Sequence, residues 1–200
     1  MWLRLLLTSL LANINLYEVL FFVLSNVKIP FIKRLSPSKA QVAILEKRLQ
    51  HGDLVFGRRD WFLKNLFVRG RYQHVGTWDA ENKVIMEMQN EGYVETPLAI
   101  FCARYTEVGA NSCLKFTNVY RRKFVKQMKA FSDREYDSRF SWNTHSMYCS
   151  ESVFHADIDK RIGYQPEKLF WKEVFVPSTL WSLPTMKKNF VLTKKGLKLS

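Results

Sequence analysis

Cys149 has the residue type and the position of a cysteine nucleophile. It lies in the stretch Tyr148-Cys149-Ser150-Glu151-Ser152-Val153-Phe154-His155, where an irregular aromatic segment, residues 140–145, gives way to a helical pattern. A thiol in the first turn of a helix is close to unpaired backbone N–H groups and to the positive end of the helix dipole, and both favour the thiolate. A single cysteine among apolar residues is also typical of a buried core position. Cys149 therefore needs a partner before it indicates catalysis.

The partner that the sequence offers is His74, in a segment with the pattern of a β-hairpin. Two runs rich in β-branched and aromatic residues flank the polar turn 79–82. If Trp78 pairs with Lys83, His74 stands directly opposite Glu87, with about 5 Å between their Cβ atoms. Glu87 could then hold one imidazole nitrogen and leave the other to accept a proton from a thiol. The alternative is an exposed cross-strand pair without chemistry.

The other three histidines match His74 in residue type only. His51 is expected in a loop that ends a helix, His145 in the irregular segment before Cys149, and His155 six residues along the Cys149 helix, pointing elsewhere. No set of His, Asp and Glu has a recognisable ligand spacing. We therefore expect no metal and no cofactor.

The other two cysteines, Cys102 and Cys113, lie in apolar or strand-like runs and are predicted to be structural. Three cysteines without C-x-x-C spacing argue against a disulfide framework and a zinc knuckle. Reduced thiols favour a cytosolic setting.

Composition and charge limit the class of protein and its partners. The chain has 200 residues, 47% of them hydrophobic, with only six Pro and eight Gly, which fits one globular domain with a substantial core. A formal charge of +13 predicts attraction to anionic surfaces, such as a membrane or an acidic protein. Nucleic acid is not expected, because C2H2 spacing, an RNP-type motif and a recognition-helix signature are all missing.

The first 35 residues form an apolar segment that we treat as a separate N-terminal helix. The stretch 2–27 is long enough to span a bilayer, but Arg4, Asn15 and Glu18 belong to a narrow polar stripe that would be costly in lipid. We rank an amphipathic helix, packed on the domain or lying at a membrane interface, above a signal anchor. The localisation is accordingly either cytoplasmic or membrane-associated.

Helices and strands alternate through the rest of the chain, which predicts one α+β domain over 36–184 and a basic tail over 185–200. Ser36 is predicted to cap a helix with Pro37 in its first turn, and Thr117 to cap a helix that turns Arg121 to solvent. The Cys149 helix is expected to continue to about Arg161. A further helix is expected near 98–102, a turn and a short helix within 175–181, and strands at 53–56, within 104–116 and at 190–192.

The order of these pieces resembles the YaeF/YiiX-like branch of the NlpC/P60 superfamily. The resemblance rests on five short motifs and covers roughly residues 49–183. They are Gly52-Asp53-Leu54-Val55-Phe56, His74-Val75-Gly76, Glu87, Tyr136-Asp137 with Phe140, and Tyr148-Cys149-Ser150-Glu151. It implies a circularly permuted papain-like fold, in which the histidine strand precedes the cysteine helix and an antiparallel sheet packs on that helix.

The resemblance also implies an activity and assigns roles. Cys149 would be the nucleophile, His74 the general base, and Glu87 the group that orients His74. The expected reaction is cleavage of an amide or ester in a peptide or lipid, through a thioacyl-enzyme. A lipid acylhydrolase or acyltransferase at a membrane surface remains an alternative, as does a basic binding module that has lost activity. The oligomeric state, the scissile bond and the acyl acceptor stay open.

Overall fold

The fold was analysed in a computed structural model that describes residues 34–59, 70–138, 140, 145–169 and 172–200. The predicted N-terminal helix over residues 1–35 lies almost entirely outside these ranges. Within them, helices are all too short or too polar to cross a membrane.

The described residues form five helices and nine strands. The helices are α1 (Lys39–Arg48), α2 (Leu98–Ala103), α3 (Asn118–Lys129), α4 (Cys149–Ala156) and α5 (Pro177–Ser182). The strands are β1 (Leu54–Arg58), β2 (His74–Asp79), β3 (Val84–Gln89), β4 (Gly92–Pro97), β5 (Glu107–Cys113), β6 (Glu167–Leu169), β7 (Lys172–Val174), β8 (Met186–Thr193) and β9 (Gly196–Leu199).

Seven of these strands make one antiparallel sheet in the order β4-β3-β2-β1-β5-β8-β9, and β6 and β7 form a separate hairpin. The predicted α+β class is therefore confirmed. The prediction of a basic tail over 185–200 is wrong, because β8 and β9 belong to the main sheet. Lys187 and Lys188 are exposed on β8, whereas Phe190 and Leu192 are buried, so the strand presents its lysines to solvent and its apolar side chains to the core.

The sheet separates two hydrophobic cores, since side chains alternate between the faces along each strand. On one face, Phe56 and Val75 pack with the helices α3 and α4. On the other, Val55, Trp78 and Val108 pack with α1 and α2. Cys149 belongs to the first core. His74 is two residues from Gly76 and four from Trp78, so it belongs by alternation to the second face.

The β2–β3 hairpin has a register that differs from the prediction. Asp79 pairs with Val84 and Trp78 with Ile85, instead of Trp78 with Lys83. The turn is therefore one residue later in the chain, at 80–83. Asp79 causes this shift, because its buried carboxylate accepts the N–H groups of Glu81 and Asn82 and lies 2.6 Å from Lys129 Nζ. Glu87 is thus two residues from the position opposite His74, but still on the same face of the sheet.

Two predicted helix boundaries also need correction. Helix α1 begins at Lys39, after the cap Ser38 and not Ser36, because the Ser38 hydroxyl accepts Gln41 N–H while the Gln41 side chain returns to Ser38 N–H. Helix α4 ends at Ala156 and not near Arg161. Asp157 stops it by accepting the N–H groups of Arg161 and Ile162, which holds the chain in a turn.

Arg121 does not face solvent as predicted, because it pairs with a buried carboxylate. Its Nη1 donates to Asp53 Oδ1 at 2.7 Å and to the carbonyl of His51 at 3.0 Å. Asp53 is fully buried and also accepts from Ser112 and Asn189. This network joins α3 to the start of β1. It lies at one end of β1, whereas Gly57, which pairs with His74, lies near the other end.

Candidate active site

The first turn of α4 is held in place by contacts on both sides of Cys149. The Tyr148 hydroxyl accepts the N–H of Phe175 at 2.8 Å, and the Ser150 hydroxyl donates to the Phe175 carbonyl at 2.6 Å. The Glu151 side chain accepts the N–H of Tyr148 at 3.3 Å and so closes the first turn. Cys149 is 6% exposed, and its own N–H, in the first helical position, has no acceptor within the helix.

His74 meets Cys149 at the start of β2. The β2–β3 ladder contains pairs only from Thr77 to Asp79, so residues 74–76 pair with β1 but not with β3. The Cys149 sulfur interacts there with the His74 side chain and with the backbone N–H of Val75, and both lower the pKa of the thiol. The thiol of helix α4 and the imidazole of β2 therefore meet near the first residues of β2.

A hydrogen-bonded carboxylate fixes the imidazole. His74 Nε2 lies 2.6 Å from Glu87 Oε2, and Glu87 Oε1 accepts from Arg104 Nη1 at 2.7 Å. The amide of Gln89 donates to the same Glu87 oxygen as His74. Glu87 is fully buried, and its pKa is lowered because its hydrogen bonds and the nearby positive charges outweigh the opposing effect of burial. With Nε2 on Glu87, Nδ1 of His74 is the nitrogen left for Cys149.

Aromatic rings hold the other side of the imidazole. Tyr105 stacks on His74 with ring centroids 5.9 Å apart and planes 18° apart, and Phe101 lies 6.1 Å away. Gly57, the β1 partner of His74, makes this possible: a Cβ at that position would lie 2.5 Å from the Tyr105 ring. Tyr105 can therefore stack on His74 only because position 57 is a glycine.

The electrostatics of the pair favour a thiolate and an imidazolium. Burial alone would raise the pKa of Cys149, but the charge and hydrogen bond of His74, with smaller help from Val75 N–H and Ser150, lower it overall. Burial alone would lower the pKa of His74, but the Cys149 thiolate and Glu87 raise it to about 8. Both shifts favour proton transfer from sulfur to nitrogen.

Two neighbouring cavities lie near the candidate site, and His74 lines the smaller one. The smaller, about 40 Å³, is lined by Arg59, Gln73, His74, Met88, Gln89, Asn90 and Tyr136. The larger, about 480 Å³, shares Arg59 and Gln89 with it and continues along α2 and β4 past Val94, Pro97 and Ile100. Tyr136 is half-buried, and its pKa is raised by burial and by the charge of Cys149. Its hydroxyl stays protonated and can donate.

The competing histidines lie elsewhere. His51 Nδ1 accepts the N–H of Ala80, His145 contacts Arg134, and His155 lies 3.5 Å from Glu151 on α4. Across the described ranges, His, Cys, Asp and Glu do not converge in a group of three or more suited to a metal ion.

The other two cysteines and the tyrosines near the site, Tyr72 and Tyr148, have structural surroundings. Cys102 and Cys113 are buried, as predicted, and burial raises the pKa of Cys102 to about 12. The ring of Tyr72 packs between Phe56 and Trp181. Tyr148 uses its hydroxyl for Phe175, as described above. These residues contribute packing.

Sequence reasoning missed four residues of the site: Arg104, Gln89, Tyr105 and Gly57. A buried glutamate needs a compensating cation, but nothing local identifies Arg104 among the 31 basic residues. Gly57 did carry a signal, because a glycine inside a strand indicates close approach of another group.

The comparisons with known proteins address the family. Residues 48–198 match the family described as "Permuted papain-like amidase enzyme, YaeF/YiiX, C92 family". The chain belongs to this family. The resemblance drawn from the sequence and the permuted papain-like fold are thereby confirmed, and so is a hydrolase of the amidase class. The match includes β8 and most of β9, consistent with their place in the sheet.

Among solved structures, this chain is similar to a protein of Escherichia coli O157:H7, described as metalloprotein yiiX. The TM-score is 0.57 at 19% identity, covering 70% of this chain and 96% of that chain. At this identity the similarity concerns the fold. No curated protein matches the chain.

Proposed function

We propose that this C92 family member is a cysteine amidase in which Cys149 is the nucleophile, His74 the acid and base, and Glu87 the group that orients His74. The observation that carries the proposal is the convergence of the three side chains, with the pKa of Cys149 lowered and that of His74 raised. An isolated buried cysteine has the opposite tendency, as Cys102 illustrates.

In the acylation step, the Cys149 sulfur attacks the carbonyl carbon of the amide and a C–S bond forms. The carbonyl electron pair moves to oxygen and gives a tetrahedral oxyanion. The Cys149 N–H, unpaired within α4, can donate to this oxygen, and the Tyr136 hydroxyl is our second candidate donor. When the C–N bond breaks, the protonated His74 gives its proton to the leaving amine.

Deacylation reverses these roles. Neutral His74 takes a proton from water, the hydroxide attacks the thioester carbon, and the C–S bond breaks to return the Cys149 thiolate. Glu87 keeps Nδ1 of His74 directed at the sulfur during both steps, while His74 and, to a smaller extent, Arg104 keep the pKa of Glu87 low. The Tyr105 stack limits rotation of the ring.

The experiment is to trap the acyl-enzyme. A panel of activated amides is incubated with the protein, quenched in acid and analysed by intact-protein mass spectrometry. We expect a mass increase located on Cys149, absent in Cys149→Ala and slow to form in His74→Ala. Cys102→Ala serves as the matched control and should acylate like the parent. Acylation that persists in Cys149→Ala, or none with any amide or ester, would overturn the proposal.

A further inference from the structure

We infer that one surface of the protein docks on lipid bilayers that contain anionic lipids. It consists of the exposed side chains of residues 114–126 and 158–161, which we call the α3 surface. The inference concerns where the protein binds and not which bond it cleaves, so it does not depend on the proposed amidase reaction. Three features support it: the continuity of the surface, its charge and its exposed aliphatic side chains.

The two segments are joined by Tyr120, in the first turn of α3. Its hydroxyl donates to Asp157 Oδ1 at 2.7 Å and accepts the N–H of Asp159 at 3.1 Å. The guanidinium carbon of Arg161 lies 4.0 Å from the centroid of the Tyr120 ring, and its Nη1 donates to the carbonyl of Lys115 at 3.4 Å. The turn that follows α4 is therefore fixed against the start of α3, and the two segments form one surface.

The α3 surface is strongly basic. Lys115, Arg122 and Lys126 are exposed, and within the part of the chain that the structure describes none of them is paired with a carboxylate. Asp159 is the only acidic residue in the two segments, and it lies 3.1 Å from Lys123 Nζ. The three exposed cations are therefore available to an external anion.

Exposed aliphatic side chains lie among these cations. Leu114 is 63% exposed, Val119 71% and Ile158 48%, and they are three of the six strongly exposed large hydrophobic residues in the described ranges. A bilayer surface fits this combination, because aliphatic side chains enter the boundary between headgroups and acyl chains while Lys and Arg contact the lipid phosphates.

The aromatic residues of the α3 surface argue against two other partners. Phe116, Tyr120 and Phe124 are all buried, so the surface offers no exposed ring. Exposed aromatic side chains are the usual anchors of protein–protein interfaces and the usual stacking partners of unpaired bases. We therefore favour a bilayer over an acidic protein or a nucleic acid.

The α3 surface lies away from the candidate nucleophile. Tyr120 contacts Asp157, which follows the last residue of α4, whereas Cys149 is the first residue of that helix. A helix of eight residues is about 12 Å long. Substitutions on the α3 surface should therefore leave the alkylation rate of Cys149 unchanged, and this rate can serve as a check on folding.

Binding of the full chain to vesicles tests the inference. Cosedimentation is measured at low salt with vesicles of neutral phosphatidylcholine and with vesicles that also contain anionic phosphatidylserine. The test variant combines Lys115→Gln, Arg122→Gln and Lys126→Gln. Residues 1–33 are the same in all variants, so a contribution from them to binding cancels in the comparison.

A matched control removes the same charge elsewhere. It combines Lys194→Gln, Lys195→Gln and Lys198→Gln, which change three exposed lysines of the β8–β9 hairpin. Thr193, beside this hairpin turn, pairs with Glu107 at the start of β5, whereas Leu114 follows the end of β5. Seven strand residues span about 23 Å, which is more than the screening length in moderate salt.

We expect the parent to bind the anionic vesicles more tightly than the neutral ones. The Lys115, Arg122 and Lys126 variant should bind the anionic vesicles about a hundredfold more weakly, and the control at most about threefold more weakly. Iodoacetamide should alkylate Cys149 equally fast in all three proteins. Equal binding of the parent to both kinds of vesicle, or equal losses in the two variants, would overturn the inference. Neither result would affect the proposed amidase.

A second pair of variants tests the aliphatic side chains. Leu114→Ser combined with Val119→Ser should weaken binding to the anionic vesicles about tenfold. Ile44→Ser combined with Leu199→Ser, at two exposed positions outside the α3 surface, should leave binding unchanged. Equal binding by the two double variants would overturn the insertion of these side chains into the bilayer.

Polyglutamate and duplex DNA serve as probes of the other two partners. We expect the variant of Lys115, Arg122 and Lys126 to lose more affinity for anionic vesicles than for either polymer. A loss of affinity for one polymer with unchanged vesicle binding would overturn the assignment to a bilayer, in favour of an acidic protein or a nucleic acid.

Discussion

The Nε2 atom of His74 lies 2.6 Å from Oε2 of Glu87 although the two residues are not direct cross-strand partners. Glu87 reaches His74 diagonally, and Gly76 lies beside it, where a Cβ would come within 3.2 Å of the Glu87 Cβ. A diagonal contact of this kind needs a side chain longer than aspartate. The spacing therefore explains why a glutamate fits the site.

Replacing Glu87 with glutamine should reduce thiolate formation at Cys149. The imidazolium loses its carboxylate partner, so the pKa of His74 falls and the thiolate loses its counter-ion. One pKa unit corresponds to a tenfold change in population, and we expect Cys149 alkylation at pH 6 to slow about tenfold in Glu87→Gln. Glu81→Gln, in the exposed hairpin turn, is the control. Equal alkylation rates in Glu87→Gln and the parent would contradict the orienting role.

The pH dependence should follow the thiolate–imidazolium pair. The pKa of Cys149 is lowered from its ordinary 9.0, and that of His74 is raised from 6.5 to about 8. The pair is therefore present above the lowered cysteine pKa and is lost as the pH rises through about 8, where His74 can no longer protonate the leaving amine. We expect a bell-shaped kcat/KM profile with an alkaline limb near pH 8, whose apparent values belong to the pair. An activity that keeps rising to pH 10 would exclude this mechanism.

Thiolate absorbance at 240 nm gives an independent measurement that needs no substrate. The difference between the parent and Cys149→Ser should titrate below the ordinary thiol range, and His74→Ala should move the midpoint upward.

Gly57→Ala should disturb both folding and the site. The added methyl would lie 2.5 Å from the buried Tyr105 ring, which in turn contacts His74. Overpacking of this kind costs about 1–3 kcal/mol, and we expect a loss of that size in urea unfolding, together with slower alkylation of Cys149. An unchanged unfolding midpoint would show that the ring has room to move.

Arg121→Met and Arg122→Met form a matched pair on α3. Arg121 compensates the buried Asp53, so its removal leaves an uncompensated carboxylate and should cost about 3–5 kcal/mol. Arg122 is exposed, and its removal should change the free energy of unfolding by at most about 0.5 kcal/mol. The measurement is urea unfolding of both variants. Similar stabilities would refute the assignment of the Asp53 network as a structural anchor.

Tyr148→Phe should loosen the start of α4. It leaves the buried N–H of Phe175 without its acceptor, at a cost of about 1–3 kcal/mol. Amide hydrogen exchange at Phe175 should accelerate in the variant. Protection equal to that of the parent would mean that another acceptor replaces the hydroxyl.

Much of the fold was predictable because its elements carry local signals. Thr117 caps α3 as predicted, with Tyr120 and Phe124 on its buried face, and α5 begins at Pro177. The register of the β2–β3 hairpin was not predictable, because its turn is set by the buried Asp79. The charge of Asp79 is matched by Lys129, which is far away in the sequence. Side chains alternate between the two faces of a strand, so an error of two residues in the predicted register still leaves His74 and Glu87 on the same face. Their contact was therefore anticipated from the sequence.

The sequence could not show which basic residues are buried or paired with carboxylates that are distant in the chain. Lys187 and Lys188 belong to a strand whose pairing with β5 is decided by the buried Phe190 and Leu192, although the segment is rich in lysine. Arg121 and Arg104 look like surface residues until the carboxylates that they compensate are placed. Such roles follow from burial, which is a property of the assembled sheet.

The placement of Cys149 and His74 on different faces of the sheet has a consequence for the reactivity of the thiol. Cys149 packs in one hydrophobic core and His74 stacks on Tyr105 of the other, so different layers of the fold support the sulfur and the imidazole. A substitution that shifts one layer against the other changes the distance between the Cys149 sulfur and the His74 imidazole, even when the substituted residue is remote from both side chains. The reactivity of the thiol would therefore report small shifts of one layer against the other, including shifts that leave the free energy of unfolding almost unchanged.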